Sequence, residues 1–331
     1  MILSSYLTNR KQYVSIDGCI SQKRAISVGV PQGSVLGPLL FLIYINDLPR
    51  SLTNLKAILF ADDTTLFTSS MNIQQLSNMI SDDLREVKNW LIANRLTLNA
   101  DKTYYMIFSL RHIPENTHIT LGTAILERKS QGKFLGITLD DKLTFKGHIS
   151  TITKKISRLV GLFYKLRLSF PLAVLKQLYY SLIYPYLTYC LPIWGCTAQS
   201  HLQPLNLSLK KIIRLLTNSD YLAHTSPLFK ELSILNLKDL YKNQIALTMH
   251  KALVQRKLEK LRAEILLLQP NHNYQTRETN LRLPQRRLQK TEQNLIYQGI
   301  LIWNSLPASI KNKTNIITFK KHLKDHFINS Y

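Results

Sequence analysis

Hydrophobic periodicity changes once along this chain, near Gly147, and that change limits the folds open to it. Upstream, β-branched runs alternate with helical stretches. Tyr13–Val30 reads as two short strands joined around Asp17-Gly18. Pro31-Gln32-Gly33-Ser34 reads as a turn, with Ser34 placed to cap a helix from Val35 to Asn46. Leu55–Phe60 and Thr64–Thr68 flank Ala61-Asp62-Asp63 and predict a hairpin. Apolar residues from Ile73 to Leu91 recur at helical spacing, so Asn72–Asn94 is expected to be a helix. Asp82 and Asp83 are assigned to its charged, solvated face. Tyr104–Phe108, Ile119–Leu126 and Lys133–Leu139 read as strands, and Asp140-Asp141 as a solvated turn. After Phe145 the pattern is helical almost throughout, over about 150–168, 171–190, 203–217, 226–235 and 238–262. A last amphipathic helix is expected near Ile317–Phe327.

Charge follows the same division. Residues 1–150 carry 16 basic and 12 acidic side chains, whereas residues 151–331 carry 27 basic and 8 acidic. A basic excess confined to one half predicts a polyanionic partner, nucleic acid before membrane. Lys154, Lys155 and Arg158 fall near one stripe of a helix backed by Ile156, Leu159 and Phe163. Lys210, Lys211 and Arg214 repeat the arrangement. Such stripes suit phosphate tracking without sequence preference. Tyr179, Tyr180, Tyr184 and Tyr186 read as core more readily than as base-stacking platforms. A second composition shift falls near Pro270–Thr276. It is followed by Arg277, Arg282, Arg286, Arg287 and Lys290, too sparse to define a localisation element.

No apolar core follows a basic segment in the first residues, so no signal peptide is read there. Leu178–Trp194 is apolar enough to test as a membrane span, but Pro185, Pro192 and its tyrosines favour a buried helix pair broken near Pro185. Three scattered cysteines fit neither a disulfide framework nor a zinc knuckle. An intracellular protein, nuclear or cytoplasmic and without a membrane span, is the expectation.

Adjacent carboxylates at Asp62 and Asp63 repel one another unless a cation joins them, and Mg²⁺ prefers hard carboxylate oxygens together with substrate phosphates. A solvated turn accounts for an isolated Asp-Asp equally well. The surrounding blocks distinguish this one. Gly29-Val30-Pro31-Gln32-Gly33-Ser34 stands upstream. Downstream come Trp90-Leu91, Asn94-Arg95-Leu96, Leu98-Asn99-Ala100-Asp101-Lys102-Thr103 and Lys133-Phe134-Leu135-Gly136. Farther on lie Pro192-Ile193-Trp194-Gly195 and Ile302-Trp303-Asn304-Ser305-Leu306-Pro307. In this order the blocks resemble the reverse transcriptases of non-LTR retrotransposons, jockey- and CR1-like LINE elements in particular.

The resemblance implies an α+β fold: a partial polymerase palm over residues 1–147, a helical thumb or connection over 148–269, and a basic helical region over 270–331. It implies that Asp62 and Asp63 hold metal, with Phe60 and Ala61 in the same acidic motif. Pro31, Gln32 and Gly33 would contact template and incoming nucleotide. Lys102 would lie near the nucleotide phosphates, a candidate to protonate or neutralise the leaving pyrophosphate. Phe134, Leu135 and Gly136 match the primer-grip hairpin, and the basic helices match the thumb on the duplex backbone. Mg²⁺ or Mn²⁺, deoxynucleotide triphosphates, an RNA template and a DNA primer or RNA–DNA duplex are the implied partners.

The family's third metal-site carboxylate lies on a strand that should precede the segment matching Leu7-Thr8-Asn9-Arg10, and no matching motif is found there. Asp17 lies in a turn of unrelated context. The expectation is a fragment that is inactive alone, with an unpaired edge and an apolar patch at the Asp62-Asp63 hairpin. The alternative is a nucleic-acid-binding module without metal chemistry.

Overall fold

The computed structural model describes residues 2–331 apart from Val28, Leu110, His112, 115–117, Thr123, 270–279 and 286–291. The composition shift near Pro270–Thr276 and the basic residues Arg277, Arg286, Arg287 and Lys290 lie outside the described residues. Two compact units, Met1–Lys129 and Ser130–Tyr331, make up the chain.

The first unit opens with α1 (Ile2–Leu7), β1 (Lys11–Gln12), β2 (Ser15–Ile16), β3 (Cys19–Ile20) and β4 (Arg24–Ala25). β2 and β3 form a small hairpin over Asp17-Gly18, nested inside the β1–β4 pair. Next come α2 (Leu36–Ile45), the hairpin β5 (Lys56–Phe60) and β6 (Asp63–Phe67), and the long α3 (Ile73–Ala93). β7 (Tyr104–Tyr105), β8 (Thr120–Leu121), β9 (Ala124–Ile125) and β10 (Glu127–Arg128) close the unit. β7 is shorter than the expected Tyr104–Phe108 strand, because its pairing with β10 covers only two residues.

Three apolar sources build this unit's core. Ile45 of α2, Leu48 and Val87 of α3 are buried together, with Leu59 of β5 and Leu66 of β6 packed on them. Leu66 also reaches a second cluster of Leu84, Ile119, Leu121 and Leu126. The inner face of the hairpin is therefore held by α3. Ser34 meets the helix start as anticipated: its Oγ accepts the Gly37 amide at 3.1 Å, one residue into α2.

Asp83 corrects the sequence reading. Asp82 is solvated and pairs with Arg85 at 3.5 Å, but Asp83 is only 2% exposed. It lies three residues after Ile80 and four before Val87, on the apolar stripe of α3. Its carboxylate accepts the backbone amides of Thr53 (3.1 Å), Asn54 (2.7 Å) and Leu55 (2.6 Å), and the Asn54 side-chain amide at 3.3 Å. Burial pushes this carboxyl upward, but the amides of Leu55, Asn54 and Thr53 outweigh burial and hold it below the ordinary carboxylate value.

The second unit begins with the hairpin β11 (Gln131–Phe134) and β12 (Ile137–Asp140). The single strand expected over Lys133–Leu139 turns back on itself because Leu135 and Gly136 both adopt positive φ, 44° and 82°. Asp140 is half-buried rather than solvated: its carboxylate accepts the amides of Thr144 (2.9 Å) and Phe145 (2.7 Å), which shapes the entry to the next helix.

Helices follow: α4 (Lys146–Leu166), α5 (Leu172–Leu182), α6 (Tyr184–Thr188), α7 (Leu191–Trp194), α8 (Gln199–Leu216), α9 (Thr225–Glu231), α10 (Leu237–Leu253), α11 (Glu259–Leu267), α12 (Leu295–Ser305), α13 (Ala308–Lys311) and α14 (Ile316–Ile328). The expected break near Pro185 separates α5 from α6, where Pro185 lies in the first turn. The single helix expected over 238–262 is two, because the chain leaves helical geometry after Leu253 and Arg256 takes a φ of 54°.

One continuous core joins Ile137, α4, α5, α8, α10, α12 and α14. Ser157 and Ser208 meet between α4 and α8, their hydroxyls 3.2 Å apart. At Gly195 a Cβ would stand 2.4 Å from the Tyr241 ring, so only glycine lets α7 approach α10 this closely. No helix among the described residues is long and apolar enough to cross a membrane.

Replacing Asp83 by Ala removes the acceptor of three amides, the buried one of Leu55 among them, and is expected to cost the first unit about 3 kcal/mol. Amide exchange at Ile58 and Leu59 should then accelerate roughly 100-fold. Because the folded pKa is depressed, this stabilisation is complete above the unfolded value near 3.8 and is lost as pH falls through the folded pKa. Protection of these amides relative to their intrinsic exchange should therefore fall in acid in the wild type, and the Asp83→Ala difference should shrink there.

Candidate active site

The acidic hairpin is built from its register outward. Phe60 faces Asp63, Leu59 faces Thr64, Ile58 faces Thr65 and Lys56 faces Phe67. Side chains alternate across a strand, so Leu59 and Leu66 enter the core while Ile58, Phe60, Asp63 and Phe67 share the opposite face. That face is open: Phe60 is 61% exposed, and Ile58 and Phe67 are exposed too. Asp62 and Asp63 are both exposed, Asp62 in the two-residue turn and Asp63 at the first position of β6. The turn puts Ala61 in the left-handed region at φ 50°, an uncommon conformation for a residue with a side chain.

Among the described residues no third strand pairs with either edge of this hairpin. The unpaired edge and apolar patch expected from the sequence are both present. α2 adds to the exposed apolar surface through Leu39, Leu42 and Ile43.

The Pro31–Ser34 turn is closed by the Ser34 amide donating to the Pro31 carbonyl at 3.2 Å. Gly33 has a φ of 78°, the value a type II turn demands at its third residue. Pro31, Gln32 and Gly33 are all exposed. This turn leads directly into α2, whose Phe41 and Ile45 pack in the same cluster as Leu59 and Leu66 of the acidic hairpin. Lys102 is exposed at the end of a one-turn helix, Ala100–Lys102. Tyr105, three residues on, packs on the second cluster, which Leu66 also reaches. The turn joins the hairpin through the first cluster, and the Lys102 segment joins it through the second.

In the second unit, Phe134 and Leu135 are half-buried and Gly136 is exposed at the tip of its hairpin. Lys154, Lys155, Arg158 and Lys211 are exposed, and Lys210 and Arg214 are half-buried. Arg214 is partly committed within the fold, its Nε donating to the Ala223 carbonyl at 2.9 Å. Neither α4 nor α8 contains an acidic residue, and no ion pair found among the described residues involves these six cations. Of the four tyrosines assigned to the core, Tyr179 is buried, Tyr180 and Tyr184 are half-buried, and Tyr186 is exposed, with Lys155 Nζ 4.9 Å above its ring.

Two residues that shape these sites escaped the sequence reading. Asp83 sets the entry to β5, and its position on the apolar stripe of α3 was the available signal. Tyr189 touches the tip of the second hairpin, and nothing local in the sequence marks it.

Asp62 and Asp63 offer hard, solvent-accessible oxygens on adjacent residues, which suits an ion that completes its shell with water and phosphate. Among the described residues no group of three or more His, Cys, Asp or Glu side chains converges as a metal site. Two exposed carboxylates at the hairpin tip thus have the donor chemistry of a divalent-ion site.

Residues 2–139 match the family described as reverse transcriptase (RNA-dependent DNA polymerase). The RNA-directed DNA polymerase from mobile element jockey of Drosophila melanogaster is 29% identical over 254 residues, 73% of this chain and 28% of the relative. In the same organism, the probable RNA-directed DNA polymerase from transposon BS is 31% identical over 244 residues, 70% of this chain and 27% of that protein. The probable RNA-directed DNA polymerase from transposon X-element is 30% identical over 250 residues, 72% and 27%. The chain thus spans little more than a quarter of the length of these relatives. No solved structure matches it. Residues 2–139 thus carry a reverse transcriptase domain, and over about 70% of its length the chain is similar to the RNA-directed DNA polymerases of the jockey, BS and X-element non-LTR retrotransposons.

Proposed function

We propose that this chain supplies part of the palm and the thumb of an RNA-directed DNA polymerase. The observation that carries this reading is the open hairpin tip, where Asp62 and Asp63 are both exposed and, among the described residues, neither carboxylate takes part in an ion pair. When bound, a divalent ion would neutralise the triphosphate of an incoming deoxynucleotide and polarise the bond to its leaving group. Asp62 and Asp63 would hold it. Gln32 and Gly33 would contact the nucleotide and template. Gly33 lets the backbone approach closely, because it carries no Cβ on that side. Lys102 would neutralise the leaving pyrophosphate. The exposed cations of α4 and α8 would track the phosphates of an RNA–DNA duplex.

Two-ion phosphoryl transfer needs more carboxylate than this pair supplies. We infer that the residues described here bind substrate without completing the reaction, and that a further acidic segment is required for catalysis. A non-catalytic nucleic-acid-binding module is the second reading, favoured by the unopposed cations on α4 and α8.

Nucleotide binding separates the two. A fluorescent deoxynucleotide triphosphate should bind the chain only with Mg²⁺ or Mn²⁺, and Asp63→Asn should weaken that binding roughly tenfold or more. Metal-independent binding, or none, would leave the module reading standing. Primer extension on an RNA template should not exceed that of an Asp62→Asn control.

Duplex binding should be steeply salt-dependent. Each of Lys154→Ala, Lys155→Ala and Lys211→Ala should lower the slope of log affinity against log salt by about 1, independently of duplex sequence. Titrations at several salt concentrations check this.

A further inference from the structure

The tip of the β11–β12 hairpin is not held by its own strands. Phe134 pairs with Ile137, so Leu135 and Gly136 form a two-residue turn with both φ angles positive, 44° and 82°. Such turns favour Asn-Gly or Gly-Gly, and leucine in the left-handed region is strained. Something outside the turn must offset that strain.

Tyr189 does so. Its hydroxyl donates to the Leu135 carbonyl at 2.5 Å, across 54 residues of sequence. Its ring lies 3.5 Å from where a Cβ on Gly136 would be, so it stands close beside the turn and a side chain there would touch it. Tyr189 is itself anchored. Its carbonyl accepts the indole N–H of Trp194 at 2.8 Å, and Trp194 is fully buried in the helical core. A chain of contacts therefore runs from that core through Trp194 and the Tyr189 backbone to the Tyr189 phenol and the hairpin tip. Tyr189 is 52% exposed, so its side chain contributes little to the core. The hydrogen bond to Leu135 is what the exposed phenol is placed to make. Tyr186, three residues earlier in α6, is also exposed and has Lys155 of α4 over its ring.

We propose that Tyr189 is a positioning residue that locks the Phe134-Leu135-Gly136 tip in the geometry with which it meets a primer end. This rests on the polymerase reading of that hairpin. Through Trp194 it ties the tip to the helical core, so the tip moves with the thumb helices instead of flexing on its own strands.

The test uses the full chain and the isosteric variant Tyr189→Phe, which removes only the hydroxyl. Two probes are bound in parallel: a short RNA–DNA hybrid with a recessed DNA 3′ end, and a continuous hybrid of equal length. NMR relaxation reports the amide order parameters of Leu135 and Gly136. In the wild type, both amides should be as rigid as the flanking strands, and the recessed end should be preferred. In Tyr189→Phe, the order parameters of the tip should fall below about 0.6. The preference should drop roughly three- to tenfold, the worth of one ordinary hydrogen bond, with affinity for the continuous hybrid unchanged. A tip that stays rigid in the variant overturns the positioning role. So does a tip that loosens while the preference persists, or an equal loss on both probes. A wild-type chain that shows no preference for a recessed end overturns the primer-grip reading itself, whatever the variant does to the tip.

Discussion

A buried carboxylate on a helix facing a loop of free amides is the interaction on which the acidic hairpin depends. Asp83 gives up most of its hydration in the core of the first unit, and that alone disfavours the charged form. Three successive amides, from Thr53 to Leu55, return more than burial removes. The exchange is mutual, because those amides precede β5 and lack strand partners of their own. Lys56, the next residue, begins the strand. The register of β5 against β6 is therefore launched from a fixed point. A slip of one residue would send Asp63 to the inner face and Leu66 to solvent.

The two hairpins solve one geometric problem in different ways. Each reverses in two residues and puts a non-glycine residue at positive φ, Ala61 in one and Leu135 in the other. The first tip stands open, with its acidic side chains in solvent. The second is braced from outside by a phenol and an indole. Strain at a turn persists only where the surroundings over-determine it. The first has its strands gripped by α3 from below, and the second has its tip gripped from beyond.

Surface composition separates the two units in the same way. The first leaves apolar side chains of α2 and of the hairpin's outer face exposed, a surface suited to being covered. The second has one continuous core and leaves cations exposed on α4 and α8 without acidic partners on those helices. Unneutralised cations on rigid helices keep their full field for a polyanion.

Much of this was legible in the residues alone. The change of period near Gly147, the Asp17-Gly18 and Ala61-Asp62 turns, the helix break at Pro185 and the basic stripes follow from local chemistry, which needs only neighbours within a few positions. The family followed from the order of short blocks. What the sequence could not specify was which polar groups go inside. Asp82 and Asp83 are adjacent and chemically identical, and only the packing of α3 against the loop at Thr53 sends one to solvent and the other to the core. Lys133–Leu139 has the apolar content of a strand, and only the placement of Tyr189 and the helical core behind it shows the turn at Leu135 being held. Local pattern determines the element; the fate of a buried charge or a strained turn depends on partners tens of residues away, which tertiary structure alone brings into reach.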